Sequence, residues 1–375
     1  MKKILYVRSG PYQVSIEGYN LQEIALAKAM HSLGYQMDLV FYTKGKEWDQ
    51  TYKEANAEIT IFWRKGLRLL RSGIFPQLCN KEFLNKYDAV IVSEYSQIMG
   101  VILGMYVENL YIYNGPYYNL FKIPLMQSAY DYLFVNYINR HVKKIFCKTS
   151  RSEEFLNSKG LTNTCVVGVG LDTDKFEGDD LIEDETSSII KRMAGHRNLL
   201  YVGSLTQRKN VKLLYRVFDK IKQTDGMEDV QFIVIGEGNS SYKEECLEEL
   251  TESSKKDHIY VKYVRNSELK YIYPEADIFL LPSLQEIFGM VLLEAMHFGV
   301  CTVASRTAGS ETLIENECSG YIIDDFSEEK WFNKIVELLN NPNKRNFLGE
   351  NARIRINTSF RWDDIASKML KIMKL

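Results

Sequence analysis

Two glutamates, Glu286 and Glu294, stand eight positions apart in Pro282-Ser283-Leu284-Gln285-Glu286-Ile287-Phe288-Gly289-Met290-Val291-Leu292-Leu293-Glu294-Ala295-Met296, with Gly299 close behind. A wholly helical span would set their backbones roughly 12 Å apart. That scale is comparable to the length of a sugar diphosphate nucleoside. One carboxylate can accept hydrogen bonds from hexose hydroxyls and the other from ribose hydroxyls. The amides of Gly289, Met290 and Val291, at the positive end of a helix, would meet the phosphates between them. The spacing alone fits equally well two surface glutamates flanking a structural turn, because Glu is common on helices.

The motif needs a strand to deliver it and a helix to follow it. Residues 278–281 are an apolar strand running straight in, and a strand end, a glycine and a helix start is where α/β sheets hold phosphorylated ligands. Around it strands are expected at 198–202, 231–235, 258–263, 277–281, 301–304 and 320–323, alternating with helices at 211–222, 268–273, 290–298 and 330–339. An earlier series opens with a strand at 3–7. A helix follows from Leu21 to Leu33, capped by Asn20 and stopped by Gly34, and then a strand at 37–42. It continues with strands at 89–92, 110–113, 144–147 and 164–167. Strand–helix alternation predicts parallel sheets. The acidic stretch 177–188 predicts a solvated connection. The expected fold is α/β: two Rossmann-like domains facing across a cleft, one spanning 1–170 and completed by a helix at about 359–375, the other 171–358.

Pro282-Ser283…Glu286-Ile287-Phe288-Gly289…Glu294-Ala295-Met296…Gly299 resembles the donor-site signature, E-x7-E, of glycosyltransferase family 4, retaining enzymes of GT-B architecture. The likeness continues in Tyr201-Val202-Gly203-Ser204-Leu205…Lys209-Asn210, in Phe232-Ile233-Val234-Ile235-Gly236-Glu237-Gly238, in Ala308-Gly309-Ser310-Glu311, which is similar to the family's small-residue loop, and in Ser319-Gly320-Tyr321-Ile322. It implies that Glu286 holds the donor sugar, Glu294 the ribose and Lys209 the departing diphosphate. Ser204 stands where the family usually has an arginine, and Arg208 is the nearest replacement. Fixed cations there would stabilise charge that grows on the leaving group. Gly203, Ser204, Gly236, Phe288 and Gly289 would line the donor, with Tyr263 and Val264 beside the base or, equally, ending a core strand. Gly236 and Gly238 alone do not make a dinucleotide site, which needs G-x-G-x-x-G after a first strand.

In the first half, Gly18 occupies a loop where the family has glycines near the diphosphate, or is simply a glycine opening a helix. Asn114 replaces a histidine common in relatives, so no general base is assigned. Val169-Gly170-Leu171-Asp172 resembles the family's hinge. Phe62-Trp63-Arg64-Lys65-Gly66-Leu67-Arg68-Leu69-Leu70-Arg71 interleaves apolar residues with cations; it reads as a solvated amphipathic loop or helix, or as a segment that meets an anionic membrane through Arg64, Lys65, Arg68 and Arg71.

Bulk properties exclude little but consistently. Of 375 residues, 45% are apolar and 26% charged, with a net charge of −2, which gives no drive toward nucleic acid. The six cysteines lie far apart, without metal or disulfide spacing, and the apolar run at 98–107 is about half a membrane span. The expectation is a metal-independent, cofactor-free transferase, cytoplasmic or peripheral on the inner face of the membrane. It would pass a hexose-type sugar from a nucleoside diphosphate, preferably UDP, to a hydroxyl of a lipid-linked surface glycan. A catalytically silent protein that binds a nucleotide sugar is the alternative.

Overall fold

The computed structural model describes residues 1–16, 21–54, 57–69, 71–121, 123–178 and 181–375. The expectations for Gly18 and Asn20 lie outside them. The chain forms two compact units, Met1–Asp172 with Phe360–Leu375, and Thr173–Ser359.

The first unit carries β1 (Lys3–Val7), β2 (Gln36–Thr43), β3 (Trp48–Glu54), β4 (Ala57–Lys65), β5 (Leu67–Leu69), β6 (Ser72–Ile74), β7 (Ala89–Ser93), β8 (Leu110–Asn114), β9 (Val142–Cys147) and β10 (Thr164–Val166). Its eight-stranded sheet runs β10-β9-β8-β7-β1-β2-β4-β3, and every pairing is parallel except β3 with β4. Strands β1, β7 and β8 are buried along nearly their whole length, which is why they read as unbroken apolar runs. Helix Trp362–Met373 packs on helix Gln22–Ser32, and Leu171 N donates to Phe360 O at 2.8 Å. Gly170 permits this approach, since a Cβ there would lie 2.6 Å from Trp362 N.

Among the described residues, the 62–71 segment is largely strand rather than helix. Residues 62–65 finish β4, whose inward side chains Ala57, Ile59, Ile61 and Trp63 alternate with more exposed ones, and Leu67–Leu69 pairs with Ser72–Ile74 as the β5–β6 hairpin. Arg64 pairs with Asp49 at 2.6 Å and lies over Phe62. The Lys65 amide donates to Glu47 at 3.0 Å, and Arg71 takes the turn at φ 65°.

The second unit carries β11 (Arg197–Val202), β12 (Val230–Ile235), β13 (His258–Val261), β14 (Ile278–Leu281), β15 (Cys301–Ser305) and β16 (Tyr321–Ile323). They form one parallel sheet in the order β13-β12-β11-β14-β15-β16. In sequence rank that is 3-2-1-4-5-6, the doubly wound Rossmann order, whose reversal between β11 and β14 opens a crevice at their carboxyl ends. The acidic stretch expected to be a free connection turns into helix Asp184–Met193. Glu268, fully buried, draws it in by accepting from Glu183 N at 2.9 Å and Thr186 Oγ1 at 2.6 Å. No described helix is long and apolar enough to cross a membrane.

Candidate functional site

The switch point of the second sheet is framed by glycines. After β11, Gly203 turns at φ 151° and donates to Ile235 O at 2.9 Å; after β12, Gly236 turns at φ 149°. A Cβ on Gly236 would sit 1.9 Å from Gly203 O, and one on Gly238 would sit 2.1 Å from Leu205 O. Only glycine lets the two loops lie backbone against backbone. The Ser204 carbonyl accepts from Tyr201 Oη at 2.9 Å.

That framework carries the chain into a short 3-10 helix, Gln207–Lys209, which presents two cations to the loop after β14. Lys209, 8% exposed, pairs through Nζ with Glu286 Oε2. Arg208 donates to Gln285 O at 2.6 Å and faces the same carboxylate at 3.8 Å, while Leu284 N donates to Arg208 O at 2.8 Å. The sequence-based expectation gave Lys209 and Glu286 separate partners; the structure joins them.

Gly289, at φ 85°, precedes helix Met290–His297, whose first amides have no side-chain cap. Phe288 is buried, and Gly309 lies so close that a Cβ would be 2.0 Å from Phe288 O. The expected small-residue loop around Gly309 is the start of helix Ala308–Leu313, closed by a reciprocal Thr307–Ser310 capping box. Glu294 points inward from the 290–297 helix, with no exposure. Its Oε2 accepts from Tyr273 Oη at 2.9 Å, while Oε1 has no partner. Burial pushes this carboxyl up to about 7. Asn266 lies beside this carboxyl, close enough to lower its pKa against burial but without full hydrogen-bond geometry. A buried carboxylate oxygen and an amide so placed can be bridged by a ligand's hydroxyls. Tyr263 is 66% exposed beyond edge strand β13, and Val264 is buried.

The first sheet has the same reversal, between β1 and β7, and charge gathers there. Arg8 follows β1, Glu94 follows β7 and Lys148 follows β9. Glu94 adopts φ 53°, rare for a side-chain-bearing residue, held by Glu94 N to Tyr113 O at 3.2 Å and Tyr95 N to Asn114 Oδ1 at 3.2 Å. Gln97 Nε2 donates to Glu94 Oε2 at 3.1 Å, Lys148 Nζ to Gln22 Oε1 at 2.8 Å, and Arg8 pairs with Glu23 at 2.8 Å. Burial raises Glu94 and lowers Lys148; for Arg8 burial is the largest single influence and pulls downward, but Glu23, Tyr12 and Tyr6 together hold its pKa above the ordinary value. Asn114 is wholly buried, donating to Pro116 O at 3.0 Å and Ser152 Oγ at 2.9 Å, so it supports the fold rather than facing a ligand. No group of three or more metal-ligating side chains occurs among the described residues. Asp172 accepts from Lys28 Nζ at 3.0 Å, inside the first unit.

Two Rossmann-like units built on mainly parallel sheets are the GT-B fold. Known structures share it over the whole chain. Sucrose-phosphate synthase from Thermosynechococcus elongatus matches 100% of this chain and 98% of its own at 17% identity and a TM-score of 0.77. Anabaena HepE, solved with UDP and glucose, matches 100% of both chains at 16% identity and 0.74. Residues 184–355, most of the second unit, match the family model of glycosyl transferases group 1. An uncharacterized glycosyltransferase of Methanocaldococcus jannaschii is 27% identical over 178 residues, 47% of this chain and 44% of its own. The chain spans about half the length of the first curated relatives it matches.

Proposed function

We propose that this protein is a retaining glycosyltransferase of the family 4 type, moving a hexose-type sugar from UDP to a hydroxyl of a lipid-linked surface glycan at the cytoplasmic side of a membrane. The observation that carries the reading is the convergence of Lys209 and Arg208 on Glu286 at the switch point, on the same segment as the half-satisfied Glu294. Lys209 and Arg208 neutralise Glu286. With donor bound, Lys209 and Arg208 turn to the diphosphate, Glu286 accepts from the sugar hydroxyls, and Glu294 with Asn266 takes the ribose. Arg208 fills the place left by Ser204, which disfavours a silent binding protein. HepE, crystallised with UDP and glucose, supports the choice of nucleotide.

The reaction breaks the C1–O bond to the diphosphate and forms a C1–O bond to the acceptor on the same face. The hydroxyl proton passes to the departing phosphate oxygen, so no general base is required. Charge on that oxygen is met by Lys209 and Arg208 rather than by a metal.

Incubation with UDP-, GDP- and ADP-sugars and a panel of glycan acceptors tests the reading through acceptor-dependent nucleotide release. We expect UDP release unaffected by EDTA and reduced about 100-fold or more in Lys209→Ala. No acceptor-dependent release with any donor would reject transfer, and EDTA loss restored by magnesium would reject metal independence.

A further inference from the structure

Helix Pro124–His141 in the first unit is apolar on two sides. Its inner side seats Tyr130, Val135 and Ile138 in the core. A helix with apolar residues all round should be covered all round, yet its outer side is bare. Leu125 is 77% exposed, Met126 37%, Tyr132 86% and Leu133 62%. With Ala129 these residues share an arc of roughly 120°, which continues to Arg140. The helix's one carboxylate, Asp131, is turned away from that arc and tied to Lys159 at 3.0 Å. The outer face therefore presents large apolar groups, one neutral amide (Asn136), a cation and no anion.

At the helix's carboxyl end lies a cavity of about 330 Å³ lined by Lys81, Arg140, His141 and Lys143, with Met105 at 60% exposure on its lining and Glu108 its single acid. Among the described residues Lys81, Arg140 and Lys143 form no ion pair. The negative end of a helix accounts for a cation at Arg140. It does not account for Lys81 and Lys143, which come from helix Lys81–Leu84 and from β9.

We infer that this helix is a membrane-docking surface: its outer face lies in the interface of an anionic bilayer, and the cavity at its end takes a lipid phosphate. Apolar burial supplies attachment and the unpaired cations select anionic headgroups. Charge argues against a second copy of this chain as the occupant, since two such faces would bring cation against cation. The surface is independent of the reaction proposed above, and its test uses no activity.

The full chain is floated with vesicles of phosphatidylcholine alone and of phosphatidylcholine with one third phosphatidylglycerol. The expected result is flotation with the anionic vesicles, at least tenfold weaker in Leu125→Glu/Leu133→Glu. Arg140→Glu/Lys143→Glu should lose the preference for phosphatidylglycerol, while Arg68→Glu/Arg71→Glu on the β5–β6 hairpin should float as wild type. All are exposed positions, and circular dichroism confirms folding. Equal flotation of wild type and the helix variants, or none, overturns the inference. So does a dimer in light scattering that Leu125→Glu/Leu133→Glu dissociates, which would give the face to a second copy.

Discussion

Glu294 shows how much one buried side chain can govern. Its carboxyl, ordinarily near 4.5, is pushed up to about 7 by burial. Below pH 4.5 the folded and unfolded states both hold the proton, and the group is neutral in its effect. As the pH rises toward 7 the unfolded chain releases its proton first, so it binds fewer protons than the folded one and folding stability falls. The loss amounts to roughly 3 kcal/mol. We expect urea unfolding to show wild type losing about this much relative to Glu294→Gln between pH 4.5 and 8, with nucleotide affinity of wild type rising through pH 7 as the carboxylate forms. A constant difference between the two proteins across that range would refute the assignment. The residues of this site were legible from sequence in type but not in pairing. Glu286, Glu294 and Lys209 stand out by the motif they resemble rather than by spacing alone, whereas nothing near Tyr273 or Asn266 marks them as the companions of Glu294. Arg8, Glu94 and Lys148 did leave a signal, each being a charged residue directly after an apolar strand. That signal becomes meaningful only once the strands are known to be neighbours.

At the scale of elements, strands buried on both faces announce themselves, and the central strands of both sheets lie within two residues of where their apolar runs place them. Edges are harder. Strand β3, Trp-Asp-Gln-Thr-Tyr-Lys-Glu, exposes most of its length and carries no apolar alternation to read. Helix Pro342–Ser359 buries only Leu348, Gly349, Ala352 and Ile356, a stripe too thin to stand out in a polar sequence. Strand β4 does alternate, but its outward aromatic and basic residues mimic a surface-active segment. Loop packing was invisible for a different reason: it depends on backbone contacts. The contact of Gly309 with Phe288 O couples the Glu286 loop to the following helix. Gly309→Ala should therefore displace the loop, costing about 1–3 kcal/mol and weakening UDP binding in calorimetry about tenfold. Gly226→Ala, strained by its φ of 79° but with nothing within 4 Å of the new Cβ, should cost stability of about 1–2 kcal/mol and leave UDP affinity alone. Equal UDP affinities in the two variants would show that the contact does not position the site.

At the scale of the molecule, the two units should answer separately to perturbation. Scanning calorimetry is expected to resolve two transitions. UDP at 100 times its Kd should stabilise the second unit by about 2.7 kcal/mol and leave the first unmoved. Deleting Phe360–Leu375 should lower the other transition, because helix Trp362–Met373 packs on helix Gln22–Ser32 and Tyr111 Oη reaches Met373 O at 3.5 Å, although the deleted residues follow the second unit in sequence. A deletion that lowers only the UDP-responsive transition would contradict this. The junction itself is plain: Leu171 bonds to Phe360 and bridges Arg361, so the outgoing and returning chain are stitched together at the root of the inserted unit. During synthesis the whole of Thr173–Ser359 leaves the ribosome before the last piece of the first unit exists. The part made later can finish folding first, while the part made first waits, its helix Gln22–Ser32 uncovered, for the final residues to arrive.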